Sequence, residues 1–414
     1  MPGNFVVLRY LGAAFFARLA NDGMPVATVM LSLDRTGSTA QGAFVLMAWM
    51  APHVVVAPLV GAMLDRSGRP QLVFLGALGV LSLVLAVLAE GIGRLPLLAV
   101  LAVAALGGCC GPVVTGGFSS LIARLLPPGG QRDRAYSWDA TSYSAAAIGG
   151  SGSASLVGSA FSPGTAMLLL STTPAIAAVM TLLLPRRSET VAHQETSIPI
   201  PQALAVGVRS VWRIRELRAI TAATGLAFVG MGALSTTSVL IAGNLGRDEA
   251  GGLLMTAFAI GSLAATLGIA RLRSAPFPQR LSVIGMIGVG TALAAAGLAP
   301  ALPLVAVCFA VAGAGDGLVA TATLRIRADH SPSHWRTQVF TIGAGLKITA
   351  AAFGASLAGL ATAETAHGYL IGIAFLQIAA ALLHKLLQRS SAARHPHSFT
   401  HGHPGTGVTQ STRE

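Results

Sequence analysis

Among the charged residues inside stretches that are otherwise apolar, Arg18, Asp22, Asp139, Asp316 and Lys347 are candidates for chemistry. A charge within a membrane-spanning helix costs about 2.5 kcal/mol or more, so it normally faces a cavity or a partner. Arg18 and Asp22 lie four residues apart, share one face of a helix and are placed to pair. Two readings of Asp22 stay open: half of a structural ion pair, or a carboxyl group that takes up a proton in one state and gives it up in another. Asn21 and Gly23 flank it, and Pro25 follows where a kink is expected. Lys347 is one of only two lysines in the chain. A buried amine either loses its proton or finds a carboxylate, and Asp316 and Asp139 are the candidate partners. Asp316 sits in the run GAGDG, 313–317, where a polar packing role is the alternative. Asp139 stands near the expected start of its helix, where it would also serve as an N-terminal charge. His53 reads first as an interhelical hydrogen bonder.

Other patterns imitate chemistry without its context. Gly313, Gly315 and Gly317 copy part of a dinucleotide fingerprint, but no strand precedes them. The chain has no Gly-x-x-x-x-Gly-Lys-Ser/Thr, no His-Glu-x-x-His and no Gly-x-Ser-x-Gly, so no enzyme, cofactor or metal site is expected. Cys109 and Cys110 are adjacent and read as small apolar packing residues. His395, His397, His401 and His403 lie in a polar C-terminal stretch, 389–414, read as a disordered tail in which metal binding is the lesser alternative.

The elements that carry these residues follow from composition. Of 414 residues, 53% are hydrophobic and 10% charged, against about 25% charged in an ordinary soluble domain. Such a chain cannot cover a water-facing surface with polar groups. The apolar runs do not alternate, which argues against a membrane β-barrel. A spanning helix needs about 20 apolar residues. Breaks at Pro, Gly and charge clusters predict twelve spans: 4–30, 40–64, 71–90, 96–123, 136–158, 163–184, 217–242, 250–270, 281–299, 302–324, 337–361 and 368–387. The one long connection divides the chain into a bundle at 1–184, a linker at 185–216, a second bundle at 217–388 and the tail. The expected fold is therefore an all-α polytopic membrane protein with twelve transmembrane helices in two six-helix bundles.

Charge then orients the chain. With the N-terminus inside, the even-numbered connections and the C-terminus, counted with the span ends beside them, hold 21 of the 27 basic residues, and the outer connections hold only Arg35, Arg94 and Arg247. That asymmetry predicts cytoplasmic termini and explains the net charge of +12 without a nucleic-acid partner. The first apolar run is interrupted by Arg9, Arg18, Asn21 and Asp22, so it is not expected to be a cleaved signal peptide.

The two halves also echo each other. At an offset of 202, Arg134 matches Arg336, Trp138 matches Phe340 and Gly152 matches Gly354. At an offset of 201, Gly116–Arg124 matches Gly317–Arg325. Between the second and third runs stands GAMLDRSGRP, 61–70. Gly61 permits close helix approach, Asp65 and the arginines end the helix, Gly68 suits a tight turn and Pro70 opens the next helix. This segment closely resembles the signature of the major facilitator superfamily, Gly-x-x-x-Asp-Arg-x-Gly-Arg, at the place where that family carries it. Pro70 replaces the usual second basic residue.

The resemblance implies two bundles that rock about a midplane site, a small-molecule substrate and a monomer in the cytoplasmic membrane. It further implies that Gly61, Asp65, Arg66, Gly68 and Arg69 form a cytoplasmic gate. Runs 108–120 and 134–144 look like an exporter branch that exchanges protons for drugs or metabolites. Run 147–158 keeps that branch's glycine spacing and lacks its proline. Helix 1 lines the cavity in this family, which makes Asp22 the first candidate proton carrier, with Arg18, Lys347, Asp316 and Asp139 beside it. An importer, a uniporter or a non-transporting receptor of the same fold is the alternative.

Overall fold

Proline fixes the φ that a first helical turn needs and lacks the N–H that would be left unpaired there. Accordingly Pro70, Pro163 and Pro278 open helices, and Ser162 caps one of them by accepting the Thr165 N–H at 3.1 Å. The computed structural model describes residues 2–185, 200–247, 251–272, 277–358 and 365–389. Its helices are α1 (Pro2–Thr36), α2 (Thr39–Met50), α3 (His53–Arg66), α4 (Pro70–Gly91), α5 (Leu97–Pro112), α6 (Phe118–Leu125), α7 (Gly130–Ala160) and α8 (Pro163–Leu182). Then come α9 (Ile200–Arg213), α10 (Arg215–Asn244), α11 (Gly251–Arg271), α12 (Pro278–Leu298), α13 (Leu302–His330), α14 (Arg336–Ala358) and α15 (Ala366–Arg389).

Among the described residues there are nine candidate membrane spans, and α2 with α3 forms a tenth, bent by 40°. The helices α1 and α7, 35 and 31 residues long, complete the twelve; they carry more charge and polar side chains than the others. The helices up to α8 pack on one another around one apolar core, and those from α10 onward around others. The two sets meet along α3 with α14 and α7 with α11 and α13. The outward surface is apolar, as at Leu98, Leu298 and Phe375.

Several expected elements change shape. The run 40–64 breaks at Ala51–Pro52. The run 96–123 contains a π-helical turn, Val113–Gly117, between α5 and α6. The fifth span starts at Gly130 rather than 136, and the tenth continues to His330 rather than ending at 324. Within the expected linker stands the amphipathic helix α9, whose Val211 packs with Leu217, Val339 and Ile342. Linker residues 186–199 and the tail from 390, with His395, His397, His401 and His403, lie outside the described residues.

Small residues let membrane helices approach closely enough for dispersion to hold them. A Cβ on Gly354 would lie 1.7 Å from the Val229 carbonyl oxygen, and one on Gly313 1.8 Å from that of Phe258. Neither position accepts a side chain without moving the neighbouring helix.

Candidate functional site

The segment 61–70 sits where the two bundles touch. The Asp65 side chain is 1% exposed and crosses to the other bundle. Its carboxylate accepts the backbone N–H of Thr337 at 3.0 Å and of Gln338 at 2.9 Å. These are donors of the first turn of α14, left without intrahelical partners, at the positive end of that helix. Asp65 is thus an N-cap supplied from outside the helix. Arg124 of α6 stands 3.3 Å from the same carboxylate. A Cβ on Gly61 would lie 2.4 Å from Gln338 Cα, so glycine is what allows α3 to reach α14.

Gly68 behaves differently from its expected role. It has no positive φ, and a Cβ there would meet nothing within 4 Å, so this turn does not require glycine. Arg66 and Arg69 are exposed. Around Asp65 the clasp is extended by Ser120 Oγ donating to Thr337 Oγ1 at 3.1 Å, by Tyr136 stacked on Phe340 and by an Arg325–Asp133 pair at 3.3 Å. Arg124 and Arg325, matched by the internal repeat, each pair with an aspartate here.

Deeper in the first bundle lies a closed polar network. Arg18 does not pair with Asp22. Its Nη1 meets Asp139 Oδ1 at 2.7 Å and Ser142 Oγ, its Nη2 donates to Ser119 Oγ at 3.2 Å, and its plane covers the Tyr143 ring at 3.5 Å. Asp139 also accepts from Tyr10 Oη at 2.7 Å and Ser119 Oγ at 2.6 Å. The pair is 1% and 0% exposed. Because α7 begins at Gly130, Asp139 is well inside the helix rather than at its N-terminus, and Arg18 rather than Lys347 is its partner.

At the boundary of the bundles, away from that network, stand Asp22, Asp316 and Lys347. Asp22 on α1 is half-buried and accepts a hydrogen bond from its neighbour Asn21 at 3.3 Å. Lys347 on α14 places its ammonium 4.0 Å from the centre of the Phe228 ring of α10, a cation–π contact. It lies within electrostatic range of Asp316, Arg327 and Asp22, and among the described residues it has no direct ion pair. Tyr143 of α7 feels both Asp22 and Arg18, and Arg327 of α13 feels Tyr143. The first bundle thus contributes Asp22 and Tyr143, and the second contributes Asp316, Arg327, Lys347 and Phe228. Such a place can hold a polar or charged solute and exchange a proton at a carboxylate.

Arg327, Tyr143, Tyr10 and Arg124 escaped the sequence reading. Arg325 and Arg327 counted there as loop arginines that set topology. The run TATLRIRADH has no Pro or Gly before Pro332, which was the available signal that the helix continues. His53 is buried, its ring against Gly111.

The chain matches the family model described as Major Facilitator Superfamily over residues 10–246. It is 27% identical over 376 residues, 88% of this chain and 90% of the relative, to an uncharacterized MFS-type transporter, y4rN, of Sinorhizobium fredii. The fold is similar to the human organic anion transporter MFSD10 (TETRAN), with a TM-score of 0.72 at 16% identity over 94% of this chain and 99% of that one. It is similar as well to the E. coli fucose:proton symporter FucP, with a TM-score of 0.71 at 10% identity over 93% and 98%. At such identities the likeness is one of fold. With helices of spanning length in two packed sets, a clasp between the sets and charges facing each other across their boundary, the chain is a multi-pass membrane transporter that belongs to the Major Facilitator Superfamily.

Proposed function

We propose that this transporter exports a small organic molecule by alternating access, driven by protons, as a monomer in the cytoplasmic membrane with both termini in the cytoplasm. The observation that carries the reading is the division of labour at the bundle boundary. One end is held by Asp65 across the boundary, while Lys347 stands within electrostatic range of Asp22 and Asp316 without a direct ion pair among the described residues. The excess of arginines in the connections at the clasped end supports a cytoplasmic assignment for that end. On this reading the clasp closes the cytoplasmic gate, and Gly61, Asp65 and Arg124 are its parts, with Arg66 and Arg69 as exposed anchors. A solute leaves toward the other side.

Asp22 is the proton carrier in this scheme. It is a carboxyl group on the wall shared by the bundles and is not locked into an ion pair as Asp139 is. Arg18 and Asp139 hold α1 to α7 and so fix the wall on which Asp22 stands. The test is purified protein in proteoliposomes with an imposed pH gradient, lumenal pH followed while cationic, neutral and anionic compounds are added. Substrate-dependent proton counterflow in the native protein, lost in Asp22→Asn, is the expected result. Counterflow that persists in Asp22→Asn moves the carrier to Asp316. Proton flow in the same direction as the solute makes the chain an importer.

A further inference from the structure

We infer that Arg327 and Lys347 form a binding site for an oxyanion, a carboxylate or phosphate group carried by the transported solute, so that the substrate class is organic anions. This rests on the transport reading above and deepens it.

The inference starts from a charge without a partner. Arg327 is 4% exposed, and its Nε and Nη2 are buried with no hydrogen-bond partner among the described residues. A guanidinium keeps its charge in proteins, so burial does not neutralise it. A buried charge is normally paired, because leaving water without compensation is costly. Two other buried arginines obey this, Arg18 with Asp139 and Arg325 with Asp133, whereas Arg132, near the start of α7, also keeps its Nε and Nη2 unmatched. Asp316, on the same helix as Arg327, is not within ion-pair distance of it.

The surroundings are shaped for the head group. A Cβ on Gly343 would lie 2.3 Å from Arg327 Cζ, so glycine at this point of α14 is what makes room for the guanidinium. One helical turn further along α14, on the same face, is Lys347, the second cation. It rests on the Phe228 ring rather than on a carboxylate and leaves its N–H groups available. Across the bundle boundary from Arg327 is Tyr143, whose hydroxyl adds a donor. A forked guanidinium, an ammonium and a phenol converging from both bundles match the acceptor geometry of a planar carboxylate or a phosphate. Arg327 lies where the bundles meet, so their separation uncovers it, and an anion bound there is exposed to one side at a time. Asp22 remains free to exchange its proton.

The test is equilibrium binding to the full-length protein in lipid-free detergent. Salicylate, phenyl phosphate and the neutral analogue salicylamide are titrated while the thermal midpoint is followed. Both anions should raise the midpoint saturably in the native protein. Arg327→Gln and, independently, Lys347→Gln should weaken each anion at least tenfold, Arg327→Lys less, and leave the salicylamide response unchanged. Because Arg327 holds no other side chain in place, Arg327→Gln should fold; Lys347→Gln decides the matter should it not. No saturable shift with either anion, or equal affinity in the native protein and the variants, overturns the site. Displacement of salicylate by equimolar phosphatidylglycerol assigns it to a lipid headgroup and overturns the substrate class. Anion binding without proton-coupled flux keeps the site and overturns the export reading. Ethidium-driven proton flux at the native rate in Arg327→Gln, with anion binding unchanged, keeps export and overturns the site.

Discussion

Arg18 and Arg327 are both buried guanidinium groups on long helices, one in each bundle, and their surroundings are opposite. Arg18 is enclosed by Asp139, Ser119, Ser142 and the face of Tyr143, all from its own bundle, with its Nε alone unmatched. Arg327 lies against Gly343 with two nitrogens unmatched, and its charged neighbour Lys347 has the same sign. A satisfied buried pair holds two helices in one arrangement, because breaking it strands a charge. An unsatisfied one has interaction energy left to give to something that arrives. The difference separates scaffold from site within one set of buried charges. The Asp65 clasp falls between them: its partners are complete, but they belong to the opposite bundle, so it can hold only while the bundles touch.

The largest effect should come from breaking the satisfied pair. Asp139→Ala leaves Arg18 buried and unmatched, a loss of about 3–5 kcal/mol. The purified variant should melt far below the native protein in detergent, and the double change Arg18→Met with Asp139→Ala should recover much of the difference. A single variant as stable as the native protein would make Arg18 no better held than Arg327. The converse substitution should act in the opposite direction. Arg327→Met removes a charge that nothing compensates and should raise the thermal midpoint, by about 1–4 kcal/mol in stability. A fall would mean that Arg327 has a structural duty.

The smallest contrast concerns two glycines of one motif. Gly61→Ala drives a Cβ into the α14 backbone, an overpacking cost of about 1–3 kcal/mol against the clasped form. Gly68→Ala meets open space and should change stability by less than about 0.5 kcal/mol. Spin labels placed at Arg69 and Ser333, with the native cysteines replaced, should move apart in the first variant and keep their distance in the second. Equal behaviour would remove close helix approach as the reason for Gly61.

Much of the architecture was legible because a bilayer imposes length. Twelve apolar runs and an arginine excess in alternate connections follow from hydrocarbon thickness and from the cost of moving charge across it. The ends of the runs were less legible. A polar residue ends a span in composition but not a helix, so α7 begins before 136 and α13 passes 324. The candidate site suffered from this directly: Asp139 looked like a helix-end charge, and Arg327 like a loop residue.

What the sequence determined by itself is the class of molecule and its motif. Its composition requires a lipid-covered surface, its spacing supplies the spans, and GAMLDRSGRP marks the boundary of two bundles. Which charges meet was decided only by the tertiary structure. Arg18 could reach Asp22 one turn away, yet it pairs with Asp139, 121 residues distant, because α7 offers a carboxylate, a hydroxyl and an aromatic face, and α6 adds a second hydroxyl. Local spacing sets which contacts are possible. Packing chooses among them by how completely each buried charge can be satisfied.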